Sequence, residues 1–295
     1  MIGAVFDGFT QIRVETSEAM INLVRGGSGP PVLLLHGYPQ THAMWHKVAP
    51  RLAERFTVVA TDLRGYGDSS KPPEGLDHAG YSKRAMAQDQ VEVMAALGFD
   101  QFALVGHDRG ARVAHRLAFD HPERLTKLAL LDIVPTYEVF KATSKEIATS
   151  TYHWFFLIQP DGLPERLIEA NAEYFLRECL RRWSAGEDAF FDPQAVAEYT
   201  RCFSEPAAIH ASCEDYRAGA SIDLVHDEAD LGRTVDLPLL VLWGGKGKLN
   251  TLFDALAVWG ERFPDVRGRA LSCGHFLPEE LPDETAAELL AFLTG

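Results

Sequence analysis

The stretch Val105-Gly106-His107-Asp108-Arg109-Gly110-Ala111 decides the fold of this chain. It follows an apolar run at residues 102–105 that predicts a buried strand, and it precedes a helical pattern at residues 112–118. Glycines stand on both sides of Asp108, in the Gly-x-Asp-x-Gly form of the nucleophile elbow, a sharp strand-to-helix turn that usually carries Ser. Such a turn needs small residues, because the backbone and the helix approach closely. Asp108 is therefore predicted at a helix N-terminus, where the helix dipole favours the ionised carboxylate.

Other apolar runs predict a mostly parallel sheet around this turn. After an antiparallel pair, at residues 10–15 and 19–24, buried strands are predicted at residues 32–35, 57–60, 102–105, 127–132, 237–244 and 267–271. Helical patterns lie between them, which is typical of α/β proteins with right-handed crossovers. From residue 137 to residue 230 the strand runs disappear, and amphipathic helical stretches replace them, such as 165–183 and 193–203. We therefore predict a core of residues 1–136 and 231–295 with an inserted helical cap at 137–230.

Length and charge limit the classes of function. The 295 residues carry a net charge of −14, which argues against nucleic acid or an anionic membrane as a partner. The four cysteines have neither metal-ligand spacing nor a disulfide pattern. The first residues lack a signal-peptide pattern, and no apolar run is long enough to span a membrane. We expect a cytoplasmic protein.

Two further residues complete a catalytic triad with Asp108. In an α/β sheet the active groups gather at the carboxyl ends of the strands, and both Asp132 and His275 fall there. The chain order of nucleophile, acid and histidine is that of the α/β-hydrolase fold. The acid of that fold has a second possible position, after the strand beyond the cap, but residues 243–249 contain no carboxylate. Asp132 is therefore the predicted acid, although a simple strand-end cap remains an alternative.

A carboxylate nucleophile narrows the chemistry. It can displace a leaving group from a saturated carbon and form an alkyl ester with the enzyme. Water activated by His275 then attacks the carboxyl carbon of Asp108 and releases an alcohol, while Asp132 orients the imidazole. The backbone N–H groups of Arg109 and Tyr38 are predicted to hold the oxyanion of the second step. The substrate is then an alkyl halide or an epoxide.

The motifs of the chain resemble those of the fluoroacetate dehalogenases over nearly its whole length, the cap included. They read Gly-His-Asp-Arg-Gly-Ala-Arg at 106–112, His-Gly-Tyr-Pro-Gln at 36–40, Asp-Leu-Arg-Gly-Tyr-Gly at 62–67, Leu-Asp-Ile-Val-Pro-Thr-Tyr at 131–137, Tyr-His-Trp at 152–154, Cys-Glu-Asp-Tyr-Arg-Ala-Gly-Ala at 213–220 and Gly-His-Phe at 274–276. The resemblance implies hydrolysis of fluoroacetate to glycolate and halide, with no metal or organic cofactor. It also implies a homodimer.

The resemblance further implies a role for each matching residue. Asp108 is the nucleophile, His275 the base and Asp132 its partner. The substrate-binding residues that it implies are Arg109 and Arg112 for the carboxylate, and His153, Trp154 and Tyr216 for the leaving fluoride. Tyr38 stands where Phe is common, and we expect this departure to leave its backbone role unaffected.

Elementary chemistry agrees with these assignments. Arg109 and Arg112 are three positions apart and are neighbours on one helix face. A guanidinium beside the nucleophile suits a substrate that carries its own carboxylate, whereas a neutral alkyl halide favours apolar or aromatic surroundings. His, Trp and Tyr side chains supply the N–H and O–H donors that stabilise a departing fluoride.

Other interpretations stay open at this point. An epoxide hydrolase shares the triad and uses cap tyrosines to protonate the epoxide oxygen, and Tyr152 and Tyr216 could serve. A receptor of the same fold would bind a ligand without turnover. The two arginines could also form salt bridges on a solvated helix face, and the aromatic residues of the cap could be ordinary core.

Overall fold

One eight-stranded sheet forms the centre of the protein, for which the computed structural model describes residues 6–186 and 190–295. The predicted core begins with residues 1–5, which lie outside the described residues. The strands are β1 (Thr10–Glu15), β2 (Met20–Gly27), β3 (Pro31–Leu35), β4 (Thr57–Thr61), β5 (Phe102–His107), β6 (Leu125–Leu131), β7 (Leu239–Gly244) and β8 (Val266–Leu271).

The sheet is mostly parallel, as predicted. Its strand order is β1-β2-β4-β3-β5-β6-β7-β8. Only β1 with β2 and β2 with β4 pair in antiparallel fashion, and the other five pairings are parallel. Every residue of β4 and β5 is buried, because helices cover both faces of the parallel part and both faces must be apolar. This arrangement brings the carboxyl ends of β3, β5, β6 and β7 to one edge of the sheet.

The helices are short and numerous. They are α1 (Ala49–Leu52), α2 (Lys83–Ala96), α3 (Arg109–Asp120), α4 (Thr136–Lys141), α5 (Lys145–Ser150), α6 (Tyr152–Leu157), α7 (Leu163–Glu169), α8 (Ala172–Trp183), α9 (Pro193–Phe203), α10 (Pro206–Gly219), α11 (Ile222–Ala229), α12 (Leu249–Leu252), α13 (Ala255–Gly260), α14 (Leu277–Glu280) and α15 (Pro282–Thr294). None of the helices in the described ranges combines the length and the apolar character that crossing a membrane requires.

Helices alone make up the regular structure between β6 and β7 in the described residues. We call α4 to α11 the cap segment. The predicted boundaries, 1–136 with 231–295 for the core and 137–230 for the cap, stay a prediction. The predicted helix at 193–203 is confirmed as α9, whose N-cap Asp192 accepts hydrogen bonds from the backbone N–H groups of Gln194 and Ala195.

The predicted helical stretch at 165–183 is wrong as a single helix. Two helices, α7 and α8, occupy this range. The break falls at Asn171, whose backbone is not helical, with φ −161° and ψ 60°. Asn favours such helix boundaries because its short amide side chain competes for backbone hydrogen bonds. The break turns the chain, so α8 returns to the sheet edge and ends at Trp183, beside the residues described next.

Candidate active site

The turn between β5 and α3 is a strained elbow with Asp108 at its apex. Asp108 has φ 47° and ψ −113°, outside the regions that non-glycine residues commonly adopt. A Cβ on Gly110 would lie 2.4 Å from the carbonyl oxygen of His36, and one on Gly106 would lie 2.6 Å from the Cα of Ala111. The glycines are therefore required by close approach, as the sequence pattern predicts. The elbow lifts the Asp108 carboxylate off the sheet and holds it at the N-terminus of α3.

Asp132 and His275, the predicted acid and base, reach the elbow from beyond the carboxyl ends of β6 and β8, which lie on either side of β7. Asp132 directly follows β6, and its Oδ2 lies 2.5 Å from Nδ1 of His275. Its other oxygen, Oδ1, accepts a hydrogen bond from the backbone N–H of Gly244 at 2.8 Å. Nε2 of His275 lies 3.9 Å from Oδ2 of Asp108, which is too far for a hydrogen bond. The structure therefore brings the three predicted residues together, with the histidine between the two carboxylates.

The loop that carries His275 is tied down on several sides. The backbone N–H of His275 donates a hydrogen bond to the carbonyl oxygen of Trp183 at 2.9 Å. Glu280 accepts from the flanking N–H groups of Gly274 and Phe276 at 2.8 and 3.0 Å. Nε2 of His107 lies 2.8 Å from the carbonyl oxygen of His275. The imidazole is therefore oriented by its loop as well as by Asp132.

The electrostatics of the site favour the ionised form of Asp108. Burial raises the pKa of Asp108, but the charges of His275, His107 and the two arginines outweigh it and lower the pKa to about 2. Oδ1 of Asp108 accepts a hydrogen bond from the backbone N–H of Tyr38 at 2.9 Å. For His275, burial acts to lower the pKa, yet the hydrogen bond to Asp132 and the nearby negative charges raise it. Asp108 is therefore a carboxylate at neutral pH, with Oδ2 left for chemistry.

A cavity of about 800 Å³ opens over the elbow, between the sheet edge and the cap segment. Asp108, His275 and Arg112 line it. Nη1 of Arg112 donates to the carbonyl of Val134 at 3.0 Å and to the hydroxyl of Thr136 at 2.8 Å, while its Nε has no partner among the described residues. Burial, and then the charge of Arg109, lower the pKa of Arg112 to about 10, so it stays charged at neutral pH. The cavity thus holds a fixed positive charge next to the nucleophile.

The second predicted arginine lies behind the cavity. Arg109 is 1% exposed, and its Nε and Nη2 donate to the two carboxylate oxygens of Asp215 at 2.9 and 2.6 Å. Its guanidinium carbon is 4.2 Å from the centre of the Tyr216 ring. Asp215 also accepts from the Tyr66 hydroxyl at 2.6 Å and pairs with Lys83. Arg109 therefore joins α3, which follows the elbow, to α10, the cap helix that carries Asp215 and Tyr216.

The three predicted halide-binding residues lie close together in the cap segment. His153 and Trp154 line the cavity, and the ring of Tyr216 lies 5.7 Å from that of His153 and 6.3 Å from that of Trp154. The hydroxyl of Tyr216 is buried without a partner in the described part of the chain. Burial lowers the pKa of His153 to about 3, so its ring is neutral and carries one N–H. Tyr38 packs edge-on against Tyr216, with ring centres 5.3 Å apart.

Several residues of this site escape sequence reasoning. Asp215 is the partner of Arg109 across 106 positions of the chain. Trp183 packs on His153, with ring centres 4.4 Å apart, and edge-on against His275 at 5.9 Å. The local sequence around Trp183 predicts only an amphipathic helix. The high frequency of aromatic residues in the cap stretch is the one signal in the sequence that points to Trp183.

Comparison with known proteins fits this geometry. A model of the alpha/beta hydrolase fold matches residues 30–282. The chain belongs to the alpha/beta hydrolase fold family. The predicted fold, a mostly parallel α/β sheet of the α/β-hydrolase type, is confirmed as that of this family. The roles of Asp108, Asp132 and His275 as nucleophile, acid and histidine of the triad stay predictions.

Two curated relatives of this hydrolase are named for different activities. The fluoroacetate dehalogenase of a Burkholderia sp is 49% identical and covers 98% of this chain and 95% of its own. The soluble epoxide hydrolase of Corynebacterium sp. (strain C12) is 36% identical, over 93% of this chain and 96% of its own. A crystal structure from Nostoc sp PCC 7120, described as an alpha/beta hydrolase, is 64% identical, with a TM-score of 0.96 over 97% of this chain and 98% of its own. The resemblance to fluoroacetate dehalogenases is confirmed, and so is the prediction of a hydrolase.

Proposed function

We propose that this hydrolase converts fluoroacetate and other short haloacetates to glycolate and halide through an ester on Asp108. One observation carries the proposal: an ionised carboxylate stands at the elbow where acyl-transfer enzymes place Ser, and the charged Arg112 lines the same cavity. A carboxylate nucleophile directs the chemistry to saturated carbon, and the arginine directs it to substrates with a negative charge. A homodimer and a cytoplasmic location stay predictions.

In the first step Oδ2 of Asp108 attacks the halogen-bearing carbon. The new C–O bond forms as the C–F bond breaks, and fluoride leaves with the electron pair. Arg112 holds the carboxylate of the substrate, while the neutral His153 and the donors of Trp154 and Tyr216 stabilise the developing fluoride. Holding both ends of so small a substrate fixes the attacked carbon over the carboxylate.

In the second step His275 takes a proton from water, and the hydroxide attacks the carboxyl carbon of Asp108. The backbone N–H of Tyr38, 2.9 Å from Oδ1 in the resting site, stabilises the oxyanion. The bond between the carboxyl carbon of Asp108 and Oδ2 breaks, and glycolate leaves with Oδ2 and the proton from His275. The second proton of the water then leaves Asp108 for solvent, because the pKa of this carboxyl is low, and the carboxylate is restored. Asp132 stabilises the transient imidazolium. A role for Arg109 at the substrate carboxylate stays a prediction, since its guanidinium is already bound to Asp215.

An epoxide hydrolase is the second candidate. The Corynebacterium relative favours it, and the unpartnered hydroxyl of Tyr216 could donate a proton to an epoxide oxygen. Tyr152, the other candidate donor, also lines the cavity but is 38% exposed. The fixed charge of Arg112 argues against it, because common epoxides carry no carboxylate for that charge to bind.

Release of free fluoride tests the proposal. Purified protein mixed with fluoroacetate is expected to release fluoride and glycolate in equal amounts, measured with a fluoride electrode and by chromatography. A single turnover in ¹⁸O-water should label the carboxylate of Asp108, because water attacks the enzyme carbon. Diol formation from neutral epoxides without fluoride release would support the epoxide hydrolase instead. Label found only in glycolate would contradict the ester.

Replacing Trp154 with Phe tests the fluoride site. The change keeps the aromatic bulk and removes the indole N–H. Turnover of fluoroacetate is expected to fall roughly tenfold or more, the scale of one lost donor. Turnover of chloroacetate should fall much less, because chlorine accepts hydrogen bonds weakly and leaves more easily. Equal losses on both substrates would show that Trp154 only shapes the cavity.

A further inference from the structure

The mouth of the active-site cavity is lined by basic side chains from both the cap segment and the core. They are Lys145 at the start of α5, Arg182 near the end of α8, and Lys246 and Lys248 in the loop after β7. All four are exposed, and Glu146 is the acid that lines the same part of the cavity. The chain as a whole carries a net charge of −14. Four exposed cations of an acidic protein therefore lie around the opening of this cavity.

Two of these cations already have acidic partners. Lys248 lies 3.6 Å from Glu146, and Arg182 lies 2.9 Å from Glu178. Lys145 and Lys246, by contrast, form no ion pair within residues 6–186 and 190–295. Exposed ion pairs contribute little to the free energy of unfolding, and lysines without an ion-pair partner contribute still less. The stability of the fold therefore does not explain why Lys145 and Lys246 line this cavity.

The position of Lys246 is informative in its own right. The loop after β7 is the second place where an α/β-hydrolase can carry the triad acid. Here Asp132 occupies that role from β6, and the loop contributes lysines instead. Its backbone is held by the N–H of Gly245 to the carbonyl of Leu271 at 2.7 Å and by that of Lys246 to the carbonyl of Cys273 at 3.0 Å. The lysine is thus presented at the opening by a well-fixed loop.

We propose that Lys145 and Lys246 form an entrance site that concentrates small carboxylate anions at the mouth of the cavity. The proposal rests on the proposed function for the identity of the substrate, since only an anionic substrate would benefit. Without such an entrance, the overall negative charge would repel a haloacetate. Cations at a cleft focus the field and raise the local concentration of anions, and the effect is screened by salt over about 10 Å at 0.1 M. The anion then passes inward to Arg112.

The entrance acts on binding and not on the chemical step. A haloacetate carries the same net charge in the enzyme–substrate complex and in the transition state, so a distant lysine stabilises these two bound states equally relative to the free substrate. Such uniform binding changes KM and leaves kcat unchanged. Changes at Arg112 or at the halide site should alter kcat, which separates the entrance from the catalytic residues.

The double variant Lys145→Gln/Lys246→Gln tests the entrance. At low ionic strength its kcat/KM for fluoroacetate is expected to be roughly three- to tenfold below that of the unchanged protein, through KM alone. The difference should vanish in about 1 M salt, where the screening length is about 3 Å. Lys145→Arg/Lys246→Arg should restore the original values. As a control, Arg13→Gln/Arg55→Gln removes two exposed cations far from the cavity, with the same change in net charge, and should have no such effect.

A second readout does not depend on turnover. Fluorescence of Trp183, isolated by comparison with Trp183→Phe, should be quenched by iodide about twofold less in the glutamine double variant, while quenching by neutral acrylamide should not change. Unchanged iodide quenching together with an unchanged salt dependence of kcat/KM would overturn the entrance. If no fluoride is released by the unchanged protein, the proposed function fails, and the quenching experiment still decides whether the entrance attracts anions.

Discussion

His275→Asn is expected to lower turnover of fluoroacetate by about 10²–10⁴-fold and to leave the protein alkylated at Asp108. The nucleophile is already ionised, with a pKa of about 2, and needs no base for the first step. Hydrolysis of the ester does need one, and His275 is held for it by Asp132 at 2.5 Å. Asparagine keeps the approximate volume and cannot take a proton. The ester should therefore form and persist.

Mass spectrometry of the peptide that contains Asp108 measures this result, as the added mass of a carboxymethyl group. Low pH should also slow hydrolysis of the ester in the unchanged protein, so that the adduct accumulates. The reason is that the pKa of His275 is raised, and protonation of its imidazole removes the base. As a matched control, His46→Asn changes a partly buried histidine beyond the site and should leave turnover intact. A variant that loses turnover and shows no adduct would place His275 in the first step and contradict the mechanism.

The elbow and the triad are predictable from sequence because each of their parts is marked locally. An apolar strand pattern followed by glycines around Asp108 predicts a sharp strand-to-helix turn. Close packing at Gly110, where a Cβ would clash with the backbone, requires that turn. Asp132 is the last residue of the predicted strand at 127–132, and His275 follows the predicted strand at 267–271 after three residues. Parallel pairing brings the carboxyl ends of such strands to one edge of the sheet. The periodicity of α9 and its Asp192 cap are local in the same way.

Side-chain pairing across the cap is not predictable in this way. Nothing near Arg109 in the sequence indicates that Asp215 neutralises it, because α10 reaches it only through tertiary packing. The proposed entrance site combines Lys145 of α5 with Lys246 of the loop after β7, and each lysine looks like an ordinary solvated charge when its own segment is considered alone. The helix break at Asn171 is not predictable from the sequence either, because the apolar periodicity continues across it.

Arg112 and Arg109 therefore differ in what their loss should do, although sequence makes them a pair. Burial and Arg109 lower the pKa of Arg112 to about 10, so folding disfavours its charge and removing that charge should not destabilise the protein. For Arg109, burial opposes the charge but Asp215 outweighs it and raises the pKa. Arg109→Ala would leave a buried carboxylate short of a partner and should lower the free energy of unfolding by about 3–5 kcal/mol.

Arg112→Ala, in contrast, is expected to lower kcat/KM for fluoroacetate by roughly 10²–10³-fold, the scale of one lost buried charge pair, with little change in Tm. Arg112→Lys keeps the charge but not the planar guanidinium, so its kcat/KM should lie between that of the unchanged protein and that of Arg112→Ala. Neutral fluoroacetamide is expected to be a poor substrate of the unchanged protein, and its kcat/KM should fall far less in Arg112→Ala, so the preference for the anion should largely disappear. Equal losses on both substrates in a folded variant would mean that Arg112 shapes the cavity and does not bind the carboxylate. Because Arg112 is held on one side by Val134 and Thr136 and faces the nucleophile's cavity on the other, we expect the anion preference to be lost.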